Sequence, residues 1–186
     1  MSDPVIASAG QQHIPGILTL NAVARESVPT LDAAGAATAL STAALVLVAE
    51  RAGELCGYLI AYSSEQPSLR SEFTWFQENR RAFLYLDQIV VAQPLRRRGV
   101  GRLLCTHATT WAEACKLKSL VTTANQRPHD AVALAFHRAM GFRQSGELDA
   151  SDGRRVVLLE RRFTSTLQPW KEALSGFHGT SQQQQQ

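Results

Sequence analysis

The 186-residue chain has few of the features that mark membrane, secreted or metal-stapled proteins. Its three cysteines, Cys56, Cys105 and Cys115, are odd in number and far apart. That argues against a disulfide framework, and no pair shows the CxxC spacing of a zinc knuckle. No apolar run approaches the roughly 20 residues of a membrane span. Met1-Ser2-Asp3-Pro4 lacks a basic region followed by an apolar stretch, so no secretory leader is expected and the cytoplasm is the expected location. Two glycine signatures are missing as well. Gly99-Val100-Gly101-Arg102-Leu103-Leu104 has Leu104 where a dinucleotide fingerprint needs a third glycine, and no Gly-Lys-Ser/Thr of a Walker loop occurs.

What is present is an ordinary globular balance, 45% hydrophobic and 19% charged, in a length that suits one domain. The net charge of +3 hides a division. Residues 1–95 hold 5 basic and 9 acidic side chains, and residues 96–162 hold 13 and 6. An acidic half and a basic half suit a cation on one side and an anion on the other. Scattered solvated charge explains the counts equally well.

Pattern and punctuation predict the elements. A short strand at 5–7 precedes helices over 14–23 and 31–44. Two apolar β runs, 45–50 and 55–62, are joined by Arg51-Ala52-Gly53-Glu54 as a hairpin. After a loop at 63–69, residues 71–81 carry Phe73, Trp75 and Phe76 in a polar stretch, either an acceptor-pocket lining with Tyr85 or, preferred, core packing. Phe83–Ala92 reads as a strand covered on both faces, interrupted by Asp87. An amphipathic helix with Leu104, Ala108, Trp111 and Cys115 follows, then a strand at 118–124 and its exit loop at 125–128. A helix at 130–140 ends on Gly141, and two strands, 142–147 and 154–163, meet through Asp152-Gly153. The expected fold is a single α/β domain over residues 1–163 with helices on both faces of the sheet. Residues 164–186, ending in a run of glutamines, are expected to form a flexible tail with a short helix near Trp170–Leu174.

The chemistry centres on Arg96-Arg97-Arg98-Gly99-Val100-Gly101-Arg102 between a buried strand and a helix. The first N–H groups of a helix have no partner within it, and the helix dipole concentrates partial positive charge there. An anion docked at that end satisfies both. Gly99 and Gly101 let a ligand approach the backbone, and the arginines add attraction for phosphate. A nucleic-acid site built on the same arginines is the weaker reading, because it leaves the glycine spacing and the buried strand unexplained.

YLDQIVVAQPLRRRGVG resembles the central motif of the GNAT superfamily of acyl-CoA-dependent N-acyltransferases, with its Gln/Arg-x-x-Gly-x-Gly/Ala after a hydrophobic strand. ALAFHRAMGF resembles that superfamily's second motif. The FLY-x-D-x-IVV and AFH-x-x-x-GF patterns are similar to those of one bacterial branch. The likeness covers roughly residues 10–163. It implies a mixed, largely antiparallel sheet with a central splayed strand pair. It also implies direct acetyl transfer from acetyl-CoA to a primary amine, on a small molecule or a protein.

By the same resemblance, the backbone N–H groups from Arg97 to Arg102 hold the CoA pyrophosphate, and Ile89, Val90 and Val91 meet the pantetheine arm and the thioester. His137 stands where family members often carry a tyrosine near the CoA sulfur. It is either a proton donor or a packed helix histidine. Asp130 stands where an asparagine is common and reads as an N-cap, leaving Asn125 or His129 to contact the cofactor. Asp87 is either the general base or half of a structural ion pair with Arg80, Arg81 or a helix N-terminus. The period of two places it on one strand face with Tyr85 and Ile89. The acidic first half is expected to face a cationic acceptor, and paired β edges suggest a homodimer. These departures leave a second reading open, a catalytically silent acyl-CoA-binding module. A bulky residue at Gly101 is expected to abolish acetyl-CoA binding and leave the fold intact.

Overall fold

Hydrophobic periodicity resolves into two separate cores in the computed structural model, which describes residues 3–67, 70–150 and 153–164. The elements in chain order are β1 (Val5–Ser8), α1 (Ile14–Ala24), α2 (Ala33–Thr42), β2 (Leu45–Arg51), β3 (Glu54–Ser63), α3 (Ser71–Asn79), β4 (Phe83–Val91), α4 (Val100–Ala114), β5 (Ser119–Arg127), α5 (Ala131–Ala139), β6 (Arg143–Asp149) and β7 (Arg155–Arg162). Seven strands form one sheet in the order β1-β2-β3-β4-β5-β7-β6. Every neighbouring pair is antiparallel except β4 and β5. Helices α4 and α5 cover one face, packing Leu104, Ala108 and Phe136 on Leu59, Leu84 and Leu120. Helices α1, α2 and α3 cover the other, packing Ile17, Ala39, Phe73 and Phe76 on Tyr58, Ile60 and Tyr85. The mixed sheet with helices on both faces is therefore present. No helix among the described residues is long and apolar enough to cross a membrane. The expected C-terminal tail and its short helix lie outside the described residues, apart from Thr164.

Helix α3 is the element that pattern reading leaves unassigned. Its mean polarity conceals a narrow buried stripe of Glu72, Phe73 and Phe76. Phe73 and Phe76 are fully buried and meet Phe83 and Tyr85 edge-on or tilted, with ring centroids 5.3–6.0 Å apart. That geometry is favourable for aromatic pairs, so these rings pack the core. β5 also runs on through Asn125–Arg127, where an exit loop is expected, and joins β7 across a bulge at Gln126.

Two irregularities of β4 shape the site. Against β3, Gln88 pairs with Ile60 and Leu86 with Ala61, so Asp87 is an extra residue with no opposite number. Such a bulge shifts every later side chain to the other face. Leu84 and Leu86 before it, and Ile89 and Val91 after it, all face α4 and α5. Phe83, Tyr85 and Val90 face the opposite core. Strict alternation, which put Asp87, Tyr85 and Ile89 on one face, is thus corrected: Tyr85 and Ile89 lie on opposite faces.

The second irregularity is the short parallel ladder. β4 and β5 pair only at Phe83–Ser119, Leu84–Leu120 and Tyr85–Val121. Beyond Val121 they separate, with the Thr122 hydroxyl donating to the Leu86 carbonyl at 2.8 Å at the fork. The result is a wedge through the centre of the sheet.

Candidate active site

β4 leads through a 3-10 turn at Gln93–Leu95 into the Arg/Gly turn. Arg97 (φ 60°) and Gly99 (φ 87°) both adopt left-handed backbone. This region costs a residue with a Cβ roughly 1–2 kcal/mol and glycine little. Successive N–H groups in a turn that alternates right- and left-handed backbone point toward one concave side. Gly99 is the N-cap of α4, and the first helical bond runs from Leu103 N–H to the Gly99 carbonyl. The N–H groups of Val100, Gly101 and Arg102 come before that bond and are the unfilled donors of the first turn. Arg96, Arg97, Arg98 and Arg102 are exposed around them. Arg96 folds back, its Nε donating to the Val91 carbonyl at 3.2 Å.

The two glycines do different work. Around Gly99, an added Cβ would meet no atom within 4 Å. At Gly101 it would stand 3.3 Å from Phe136 Cε2 and 3.6 Å from Val91 Cγ2. Gly101 therefore lets α4 approach α5, and substitution there must disturb packing. The expectation of an intact fold is corrected on this ground.

Asp87 sits at the fork of the wedge with its side chain only 5% exposed, in an ion pair with Arg70. Burial raises its carboxyl above the usual carboxylate range, against the opposing pull of Arg70. The expected partners Arg80 and Arg81 are replaced by Arg70; Arg80 instead holds Glu160 at 2.9 Å. Next to Asp87, Gln88 joins a buried network. Tyr58 Oη donates to Gln88 Oε1 at 2.7 Å, Asn21 Nδ2 reaches Gln88 Oε1 and Tyr58 Oη, and Gln88 Nε2 donates to the Pro29 carbonyl. Asn21 Oδ1 also accepts from Leu31 N–H. These bonds fasten the α1–α2 connection over the β4 bulge. Buried polar side chains are costly unless satisfied, so Gln88 in an apolar strand and Asn21 in a helix were readable signals.

On the opposite lip of the wedge, Asn125 is buried and fully engaged. Its Oδ1 accepts from Arg154 Nη1 at 2.9 Å and its Nδ2 donates to the Glu26 carbonyl at 3.2 Å. Asn125 thus faces the α1–α2 connection, away from α4 and α5, while His129 is exposed in the turn after β5. Asp130 caps α5, accepting from Ala133 N–H at 2.9 Å.

His137 lies on α5 between Phe136 and Phe142, with ring centroids 5.2 and 5.3 Å away. Its Nδ1 is buried and has no hydrogen-bond partner among the described residues. Burial lowers its pKa to about 4, so the imidazole is neutral at neutral pH. The unfolded chain takes up this proton first, at about pH 6.5. Stability is therefore complete above about pH 6.5 and declines as pH falls toward 4, by up to about 3 kcal/mol from this residue. A His137→Leu variant should show a smaller loss of Tm between about pH 7 and about pH 4.5 than the parent. An equal loss in both would mean that His137 does not resist protonation.

The site residues come from both sides of a split strand pair, with a helix N-terminus at its open end. A family model described as the Acetyltransferase (GNAT) family matches residues 20–142, which include the wedge, the turn and both motif helices. The chain belongs to the GNAT acetyltransferase family. A search of curated protein sequences found no match. Among solved structures, the chain is similar to Ard1 from Thermoplasma volcanium, with a TM-score of 0.70 at 15% identity over 87% of this chain and 98% of that one. A ribosomal-protein-alanine N-acetyltransferase from Brucella melitensis aligns with a TM-score of 0.66 and 22% identity, covering 86% and 99%. YncA from Salmonella typhimurium, a putative acetyltransferase solved with its cofactor acetyl-CoA, gives 0.63 and 18%, covering 87% and 94%. Membership of the GNAT family makes this chain an acyltransferase enzyme.

Proposed function

We propose that this GNAT protein transfers an acetyl group from acetyl-CoA directly to a primary amine that enters from the side of α1, α2 and α3. The observation carrying this reading is the wedge, open beyond Tyr85 and Val121 with the α4 N-terminus beside it. Main-chain groups that lose their sheet partner need another hydrogen-bonding group, and Ile89 to Val91, paired with β3 on one side and open toward β5 on the other, offer a ladder for an extended amide-bearing arm. Val91 lies beside Gly101, which leads such an arm toward the turn. The first-turn N–H groups of Val100, Gly101 and Arg102 then hold pyrophosphate, with Arg97, Arg98 and Gly99 shaping the cradle and Arg102 adding charge. Acetyl-CoA supplies a thioester already activated for acyl transfer. The chain's part is to hold it, exclude water and relieve the amine of its proton.

Asp87 is the proposed proton acceptor, because it stands at the fork and burial moves its carboxyl toward neutrality. His137, neutral and enclosed by phenylalanines, serves as a wall of the site. Asn125 shapes the acceptor side. The two outer strands of the sheet, β1 and β6, are the edges at which a second copy would pair.

A screen of primary amines with detection of released CoA thiol tests the proposal, with acetylated product identified by mass spectrometry. Turnover with at least one amine is expected. Tight acetyl-CoA binding with no turnover across the panel would favour the silent acyl-CoA-binding module.

A further inference from the structure

On the α1–α3 face a cleft of about 340 Å³ is lined by Arg25, Glu26, Val28, Pro29, Thr30, Arg70, Glu72 and Arg154. This volume is at the small end of the roughly 300–1,000 Å³ usual for small-molecule sites. Both lips of the wedge connect to its lining. Asp87 at the β4 bulge holds Arg70, and Asn125 on β5 holds Arg154. Arg154 also meets Glu72 at 3.4 Å, whose other oxygen accepts from Ser71 Oγ at 2.9 Å. The cleft thus lies one side chain from the fork, with Arg70 and Arg154 in its lining and their partners Asp87 and Asn125 behind them.

Its electrostatics differ from those expected of an acidic half-chain. Arg25 and Arg70 come from that half, and Arg154 arrives from the start of β7. The two deeply buried acids, Asp87 and Glu72, with side chains 5% and 3% exposed, are each already engaged by a guanidinium. Arg25 is exposed and makes no ion pair or hydrogen bond among the described residues. Glu26, also exposed, contributes its carbonyl to Asn125.

We infer that the acceptor is a small amine that also carries a carboxylate, as an amino acid does, with Arg25 and Arg154 reading the carboxylate. This deepens the acetyl-transfer proposal and rests on it. Planar guanidinium groups match a carboxylate in a way that a lone ammonium cannot. The same cations disfavour a protonated amine near them, which favours transfer of its proton to Asp87 at the fork. A dicationic acceptor would have to pass Arg70 and Arg154 and, among the described residues of the lining, would find only Glu26 with an exposed carboxylate.

The test compares three acceptors with the same carbon chain: an amino acid, its amide and the corresponding diamine. With the parent protein, kcat/KM for the acid should exceed that for the amide by about tenfold or more. In Arg25→Gln, that ratio should fall toward one, chiefly through a raised KM for the acid, while Tm stays near the parent's because Arg25 is exposed. Preference for the amide or the diamine, or a ratio unchanged in Arg25→Gln, overturns the inference and leaves acetyl transfer standing. Acetyl-CoA binding without acetylation of any of the three, or of any amine in the wider panel, overturns both.

Discussion

Gly101→Leu is expected to abolish acetyl-CoA binding by calorimetry and to lower Tm at the same time. The two losses are coupled because the first carbon of the new side chain would already press on Phe136 Cε2 at 3.3 Å. Overpacking of this kind costs about 1–3 kcal/mol, and its relief moves α5 away from the α4 N-terminus. Gly99→Ala separates binding from packing. Nothing lies within 4 Å of its added carbon, so its cost is the left-handed backbone, roughly 1–2 kcal/mol. A turn that escapes that strain by leaving φ 87° also re-aims the donors of the first helical turn. Affinity should fall by about tenfold or more, equivalent to roughly 1.4 kcal/mol, with only a modest change in Tm. If Gly99→Ala and Gly101→Leu both bind acetyl-CoA as the parent does, the Arg/Gly turn is not the pyrophosphate site.

Asp87→Asn should lower turnover by about 10²–10³-fold near neutral pH, within the range for removal of a positioned proton acceptor. The loss should be greatest where Asp87 is ionised and the amine in solution is still protonated, and should shrink as pH rises, because an amine that has already lost its proton in solution needs no base. A carboxyl raised by burial also means that the parent's rate declines as pH falls into the range where Asp87 is protonated. The alternative is a purely structural Arg70–Asp87 pair. Removing one partner of a buried pair typically costs about 3–5 kcal/mol, so Asp87→Asn would then lower Tm and reduce the rate by a factor constant across pH. A pH–rate profile with Tm measured on the same samples distinguishes the two. A rate unaffected at every pH would remove Asp87 from both the reaction and the positioning of the site.

The features legible in the chain are those whose physics is local. A helix N-terminus needs donors filled and a turn needs left-handed residues, and both demands fall on adjacent positions. Gly99 and the start of α4 could therefore be read from consecutive letters, as could the Asp130 cap and the Gly141 stop (φ 87°), whereas left-handed Arg97 could not, because arginine does not signal that backbone. The face of each strand was legible while alternation held, and it failed at the Asp87 bulge, because register depends on how β3 pairs rather than on β4 alone. Helix α3 was hidden for a related reason. Its buried stripe is too narrow to dominate its composition, and only packing on Phe83 and Tyr85 makes Phe73 and Phe76 core residues.

The site divides along the same line. By itself the sequence determined the glycine-capped turn before α4 and, through two matching motifs, the family. Tertiary structure alone decided the partners of Asp87 and Asn125, since Arg70 and Arg154 reach them from elements 17 and 29 residues away. It also decided the character of the cleft on the α1–α3 face. Counting charge along the chain made that side acidic, but electrostatic attraction follows distance in space. Folding brings three arginines, from the end of α1 and from just before α3 and β7, around one small opening.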